Sequence, residues 1–363
     1  MSSIIKVNTI QDTTGNDALT IDSSGNVTAS QGFVPSTQLS HRNLIINGAM
    51  NVAQRGTSFS VTTSRTYTLD RFSAECDSSG MTVSQDTETP PNFKYSLKCL
   101  NGTGSASSGD EGNYISYIVE GYDGYPLGAG TSDAKTVTLS FWARSSITGT
   151  YIVGFTDSGR DNGYPASYTI NTADTWEHKT ITLPMSTYSG WVGNGTNGKV
   201  LQLIWDLGSG SDRDLPTVNA WNDGSSNDWT HSSQTDWVAT TGATFYLTGV
   251  QLEVGSVATP FEHRSYGEEL ARCQRYYYEI THDSTNRWGI DGLYSSGTGA
   301  DLNFSWTHPT TMRTDPTFTP ALSISDTTYY PRKEFMNIQL TNRAAGRCSA
   351  EFASGTSKWD AEL

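Results

Sequence analysis

The chain lacks long apolar runs, is poor in cysteine, and has too few basic residues to balance its acidic ones. Each shortage removes a class of protein. No stretch approaches the roughly eighteen consecutive apolar residues of a membrane-spanning helix. The opening residues Met1 to Asp12 carry neither the charged nor the apolar region of a secretory leader, so neither membrane insertion nor ordinary export is expected. Lysine and arginine total 23 against 37 aspartates and glutamates, a formal charge of −14 that repels a phosphate backbone. Nucleic acid is therefore not an expected partner. The four cysteines, Cys76, Cys99, Cys273 and Cys348, show no CxxC or Cys/His ligand spacing, which argues against zinc and redox motifs. Buried free thiols are the preferred reading of Cys76 and Cys99, although geometry alone decides whether such a pair is bridged. His41, His178, His231, His263, His282 and His308 are scattered without metal or triad spacing, and no nucleophile elbow or HExxH pair occurs. Catalysis is not expected.

What is present is glycine, at 35 copies in 363 residues, with Ser, Thr, Asn and Asp between short apolar runs, while hydrophobic residues make up only 35%. That is the composition of an all-β, turn-rich chain. Residues 1–40 hold two strand fragments, around Ile4–Ile10 and Leu19–Asp22, with too little apolar surface to offset their ordering entropy. They read as an arm that another chain orders. From 41 to 265 the period is two. Val137, Leu139, Phe141 and Ala143 share one face and Trp142 and Arg144 the other. Tyr151, Val153 and Phe155 group likewise, as do Ile181 with Leu183, and Leu201, Leu203, Trp205 and Leu207. In Thr244–Val254 the inward set switches at Thr248-Gly249, as a β-bulge would make it. The expected fold is a jelly-roll sandwich. A short linking helix follows at 266–278, where Ser265 and Glu268 have capping-box spacing. A smaller C-terminal β domain occupies 279–363.

For binding, the segment Gly208 to Thr240 places Trp221, Trp229 and Trp237 at spacing eight, each with a nearby acid: Asp223, Asp228 and Asp236. Indole faces stack on sugar rings while carboxylates take hydroxyls, so these six residues are candidate glycan contacts. The competing reading is that the tryptophans pin a long loop to the sandwich. Trp142 and Arg144 form a second candidate site, with a subunit interface as the alternative. Acidic groups such as Asp157 with Asp161, or Asp206 with Asp212 and Asp214, admit a calcium reading; solvated turns are preferred.

The stretches Asn43 to Gly56, Tyr67 to Phe72, Gly249 to Glu262, Glu268 to Tyr278, Pro309 to Pro316 and Asp360 to Leu363 resemble patches of tail-fibre and appendage proteins of marine bacteriophages, cyanophages among them. The leader Ile5 to Gln11 is similar to the start of such proteins. The resemblance implies a virion location, a homotrimer, attachment to other tail or capsid proteins through the N-terminal arm, and binding of a host cell-surface polysaccharide. A capsid-decorating or connecting subunit is the alternative from another class, and a fibre-borne glycan hydrolase a third. The sandwich also resembles the galactose-binding-like fold of carbohydrate-binding modules. In those folds a structural calcium sits near the first and last strands, which here implicates Asn47 and Glu253; no other cofactor is expected.

Overall fold

The computed structural model describes residues 41–223, 228–282, 288–294, 302–320, 327–340, 346–352 and 355–363. Of the first forty residues it describes 9–11, 15, 17–21, 23 and 27–29. The chain divides into two units, 1–42 and 43–363. In the first, β1 (Thr9–Gln11), β2 (Asp17–Ile21) and β3 (Val27–Ala29) form an antiparallel meander.

The second unit is built on the alternation visible in the sequence. Its strands are β4 (Ser58–Val61), β5 (Thr66–Tyr67), β6 (Phe72–Cys76), β7 (Met81–Asp86), β8 (Ser96–Asn101), β9 (Asn113–Glu120) and β10 (Thr136–Ser145). These are followed by β11 (Gly149–Thr156), β12 (Asn162–Ile170), β13 (Glu177–Pro184), β14 (Lys199–Asp206), β15 (Asn222–Asp223) and β16 (Thr244–Val254). They make a six-stranded sheet, β13-β10-β16-β8-β7-β4, and a seven-stranded sheet, β15-β12-β11-β14-β9-β6-β5. The pairs β8 with β16, β9 with β14, β10 with β13, and β11 with β12 are all antiparallel. Four such nested pairs, wrapped into two sheets, are a jelly roll. The inward sets expected from the alternation lie between the sheets: Val137, Leu139, Phe141, Ala143, Tyr151, Val153, Phe155, Leu201, Leu203 and Trp205 are all 0% exposed. Cys76 and Cys99 are free thiols in the same core. The bulge expected at Thr248-Gly249 is present, where the β10–β16 register shifts between Ser140 and Trp142.

Helix α1 (Gly121–Gly124) is one turn after β9, and α2 (Tyr266–Gln274) follows the sandwich. The Ser265 hydroxyl caps α2 by accepting from the Glu268 N–H at 3.3 Å, as the capping-box spacing predicts. Cys273 and Leu270 of α2 pack with Tyr276 on Ile46 and Val52. Beyond α2, β17 (Tyr277–His282), β18 (Trp288–Tyr294), β19 (Leu302–Thr307), β20 (Thr317–Thr319), β21 (Thr327–Pro331), β22 (Phe335–Leu340), β23 (Gly346–Phe352) and β24 (Gly355–Asp360) form three small antiparallel sheets, β17-β24-β20, β18-β23 and β19-β22-β21.

Two acids expected in solvated turns are buried instead. Asp157, 1% exposed, accepts the N–H groups of Asp161 and Asn162 and so closes the β11–β12 turn. Asp206 ends β14, and its Oδ1 accepts from the N–H of Gly208 and from both the N–H and hydroxyl of Ser209. Burial pushes the Asp206 carboxyl up to about 6, against those hydrogen bonds. Because the folded form holds its proton to higher pH than the unfolded chain does, this group's contribution falls as pH rises from about 4 to about 6 and stays unfavourable above. Asp206→Asn keeps the accepting oxygen without the charge. It is expected to be close to neutral at pH 4 and stabilising on the order of 2 kcal/mol at pH 7.5. Urea unfolding of both proteins across that range checks this; a difference that does not change with pH contradicts it.

Candidate functional site

Strand β10 turns Trp142 outward from the six-stranded sheet, beside its register partner His178 on β13, with ring centroids 5.1 Å apart. Two loops complete the site. Ahead of β8, Pro90 to Phe93 turns through Asn92 in the left-handed region, and the Thr89 hydroxyl donates to the Phe93 carbonyl at 2.9 Å. Phe93, which alternation would place with the core set of Leu97 and Cys99, precedes the strand and faces outward. After β16, the Pro260-Phe261-Glu262-His263 segment is tied back by the Glu262 N–H, which donates to Gln251 Oε1 at 2.8 Å. Phe93, Phe261 and His263 then meet as an aromatic cluster with centroids 4.8–5.4 Å apart.

The bulge makes this arrangement fit. Gly249 has φ +62°, and a Cβ there would lie 2.7 Å from Phe93 Cζ and 3.0 Å from Trp142 Cδ1. Only glycine both adopts that backbone and seats two rings above it. The result is an open groove of about 770 Å³, walled by Trp142, His178, Phe93, Phe261 and His263, with polar groups from Asn92, Ser140 and Thr259. Partial burial holds the His178 imidazole below the usual histidine range, so at neutral pH it presents one donor and one acceptor.

No protein-family model and no curated protein matches the chain. Among solved structures it is similar to the enzymatically active domain of tailspike protein 4 of bacteriophage CBA120, at 12% identity and a TM-score of 0.32 over 58% of this chain and 21% of that one. It is similar to a putative sugar binding protein from Bacteroides thetaiotaomicron, at 11% identity and 0.34, over 59% of this chain and all of that one. A third is the C-terminal family 22 carbohydrate binding module of Xyn10B from Clostridium thermocellum, at 11% and 0.30, over 56% of this chain and 98% of the module. The chain thus spans about a fifth of the tailspike domain's length. At these scores the likenesses say nothing of ligand or partner.

Trp142 is the one expected glycan contact that lies in the groove. Arg144 shares its face but does not line the groove: Asp174 pairs with its guanidinium at 3.3 Å, and it covers the Tyr246 ring at 4.9 Å. The tryptophans of Gly208 to Thr240 are a correction. Trp237 is 0% exposed and donates its indole N–H to the Thr244 carbonyl, and Trp229, 1% exposed, packs on Tyr114 and Ile204. Neither presents a face to a sugar. Trp221 is half-buried, meets Tyr164 and Trp191 edge-on, and donates to the Pro184 carbonyl at 2.7 Å. All three fasten the long segment to the sandwich, the competing reading of the same spacing. Their acids act locally. Asp223 accepts from the Asn162 amide and Asp236 from the Ser107 N–H, while Asp228 lies electrostatically near Asp214.

The calcium pair is a second correction. The Asn47 side chain donates to the carbonyls of Val52 and Asp70 and accepts the Val52 N–H. Glu253 is wholly buried and accepts from Gln251 and from the N–H and hydroxyl of Thr259. Each side chain is thus engaged by hydrogen bonds to its own surroundings. Among the described residues no group of three His, Cys, Asp or Glu side chains is placed to hold a metal ion.

Residues 93, 178, 261 and 263 were not singled out by the sequence as a binding set. The available signals were weak: an aromatic one or two residues after proline in two loops, and His178 falling opposite Trp142 once the strands are paired.

Proposed function

We propose that the chain is a non-catalytic, glycan-binding subunit of a bacteriophage virion appendage, and that the aromatic groove on the six-stranded sheet takes up a host cell-surface polysaccharide. The groove itself carries this reading. Trp142, Phe93 and Phe261 offer ring surfaces for the apolar face of a sugar, and Asn92, Ser140, Thr259 and the histidines lie within the same lining for its hydroxyls. One wall is held by a hydrogen bond across its own turn and the other by a hydrogen bond to β16, which is the preorganisation a weak, shallow ligand requires. Among the described residues the lining holds no Asp or Glu, whereas glycoside cleavage of the ordinary kind needs a pair of carboxyl groups. A homotrimer assembled and docked through residues 1–40 would present three grooves at once and raise avidity without new contacts.

The test is binding of the purified chain, sedimenting at three chain masses, to neutral polysaccharides from host-cell envelopes, with Trp142→Ala beside it. Loss of a central stacking residue costs about 2 kcal/mol or more, so affinity is expected to fall roughly 30-fold with the melting temperature little changed. Equal binding by the variant would remove the groove from consideration. A parent protein that binds no glycan would favour a decorating or connecting role.

A further inference from the structure

The outer face of the other sheet carries a feature that the groove does not explain. In a chain of net charge −14, Arg65, Arg160, Lys199 and Arg213 gather around a pocket of about 410 Å³ whose lining has Glu75 as its one acid among the described residues. The floor is Tyr114 and Trp229, edge to face at 5.2 Å. Arg160 lies over the Trp229 ring at 4.7 Å and Arg213 at 5.1 Å. Arg213 is held by the Asp110 carbonyl and Arg65 by the Leu363 carbonyl, and the Glu75 carboxylate accepts the Tyr114 hydroxyl. Arg160 and Lys199 have no carboxylate partner among the described residues. Both donate to a single oxygen, Gln202 Oε1, at 3.4 and 3.2 Å.

That shared acceptor fixes how Gln202 is oriented. Arginine and lysine only donate, so the amide oxygen must face them and the NH₂ must point away. Gln202 is 0% exposed, it lines the pocket, and its Nε2 has no acceptor among the described residues. A buried orphan donor beside two unpaired cations is an unfavourable arrangement when the pocket holds nothing. Burial first, then the charges of Arg160 and Arg65, depress the Lys199 ammonium to about 8, with Asp157 acting in the opposite direction.

We propose that this pocket is a second carbohydrate subsite, taking the carboxylate or sulfate of an acidic sugar at Arg160 and Lys199. It rests on the glycan reading only in assigning the anion to a saccharide. The anion chemistry itself is shared with inorganic sulfate.

Calorimetric titration of the full chain with an oligogalacturonate, its neutral methyl ester and sodium sulfate tests the site, using Arg160→Gln, Lys199→Gln and Trp142→Ala variants whose melting temperatures match the parent. The oligogalacturonate is expected to bind at least about tenfold more tightly than the ester, and each cation variant to lose about tenfold. Trp142→Ala should keep the whole difference between acid and ester, so failure of the groove and failure of this pocket read out separately. Equal binding of acid and ester, cation variants that bind like the parent, or no binding of the acid would overturn the proposal. Sulfate binding as tight as the oligogalacturonate would overturn the saccharide assignment.

Discussion

Replacing Arg71 with methionine is expected to destabilise the sandwich by about 3–5 kcal/mol. Arg71 is 1% exposed and stands at the turn into β6 with φ +71°. Its guanidinium pairs with Glu362, donates to the Ile118 carbonyl at 2.6 Å, and stacks on the Tyr276 ring at 3.5 Å. One side chain therefore ties the start of the sandwich to β9, to the end of α2 and to the last residues of the chain. Without it Glu362 is left buried beside Arg55 at 3.4 Å, and Tyr276 loses the nearer of its two cations. The desolvation already incurred by the carboxylate then has too little to offset it. Replacing both partners by apolar side chains removes that burden, so Arg71→Met with Glu362→Leu should recover much of the loss. Urea unfolding of the two single variants and the double checks this. A single variant within 1 kcal/mol of the parent, or a double variant as unstable as the sum of the singles, contradicts the account.

The same place in the structure explains the family-like patches of the sequence. Arg264 holds the carbonyls of Asn43 and Ile45, and the Asn47 N–H donates to Glu269. Gln54 joins Asp70 to the Tyr277 carbonyl. Arg275 and Tyr276 both reach Glu120, and Arg313 holds the carbonyls of Ala361 and Glu362. Residues of these patches that lie hundreds of positions apart in the chain meet in one buried polar network and so serve the fold, while the Gly249 to Glu262 patch also supplies Thr259 and Phe261 to the groove.

Trp237→Ala should also lose about 3–5 kcal/mol, the range for deleting a large buried aromatic. Trp237 packs in the main core and anchors the far end of the 208–240 segment through its bond to Thr244. Removing it leaves a cavity under that segment, and a protein still folded at low temperature should bind neutral glycan as the parent does. This is the opposite of the outcome expected for Trp142→Ala, where binding falls and stability holds. Thermal unfolding and glycan titration of the two variants side by side decide between the roles. If Trp237→Ala melts like the parent but no longer binds glycan, the tryptophan is a platform and the groove assignment fails.

These contrasts show where sequence reasoning reached and where it stopped. Trp142 could be assigned to an outer face because a strand has period two and its neighbours Phe141 and Ala143 are apolar. The β10–β16 bulge and the Ser265 cap were legible for the same reason: local geometry dictates local residue type. Trp221, Trp229 and Trp237 lie in a segment with almost no regular structure, and spacing eight there has no face attached to it. Their burial depended on what the folded sandwich offers each of them: Ile204 and Tyr114 for Trp229, the main core for Trp237, and Tyr164 with Trp191 for Trp221.

By itself the sequence determined an all-β chain, the inward face of most sandwich strands, the bulge at Gly249 and the cap of α2, because each follows from backbone period or from one residue's conformational preference. Only the tertiary structure decided which aromatics are core and which are groove, and which cations share a pocket. Phe93, Trp142, His178 and Phe261 become neighbours through strand pairing rather than proximity in the chain, and Arg160, on the β11–β12 turn, meets Lys199 only at Gln202 of β14.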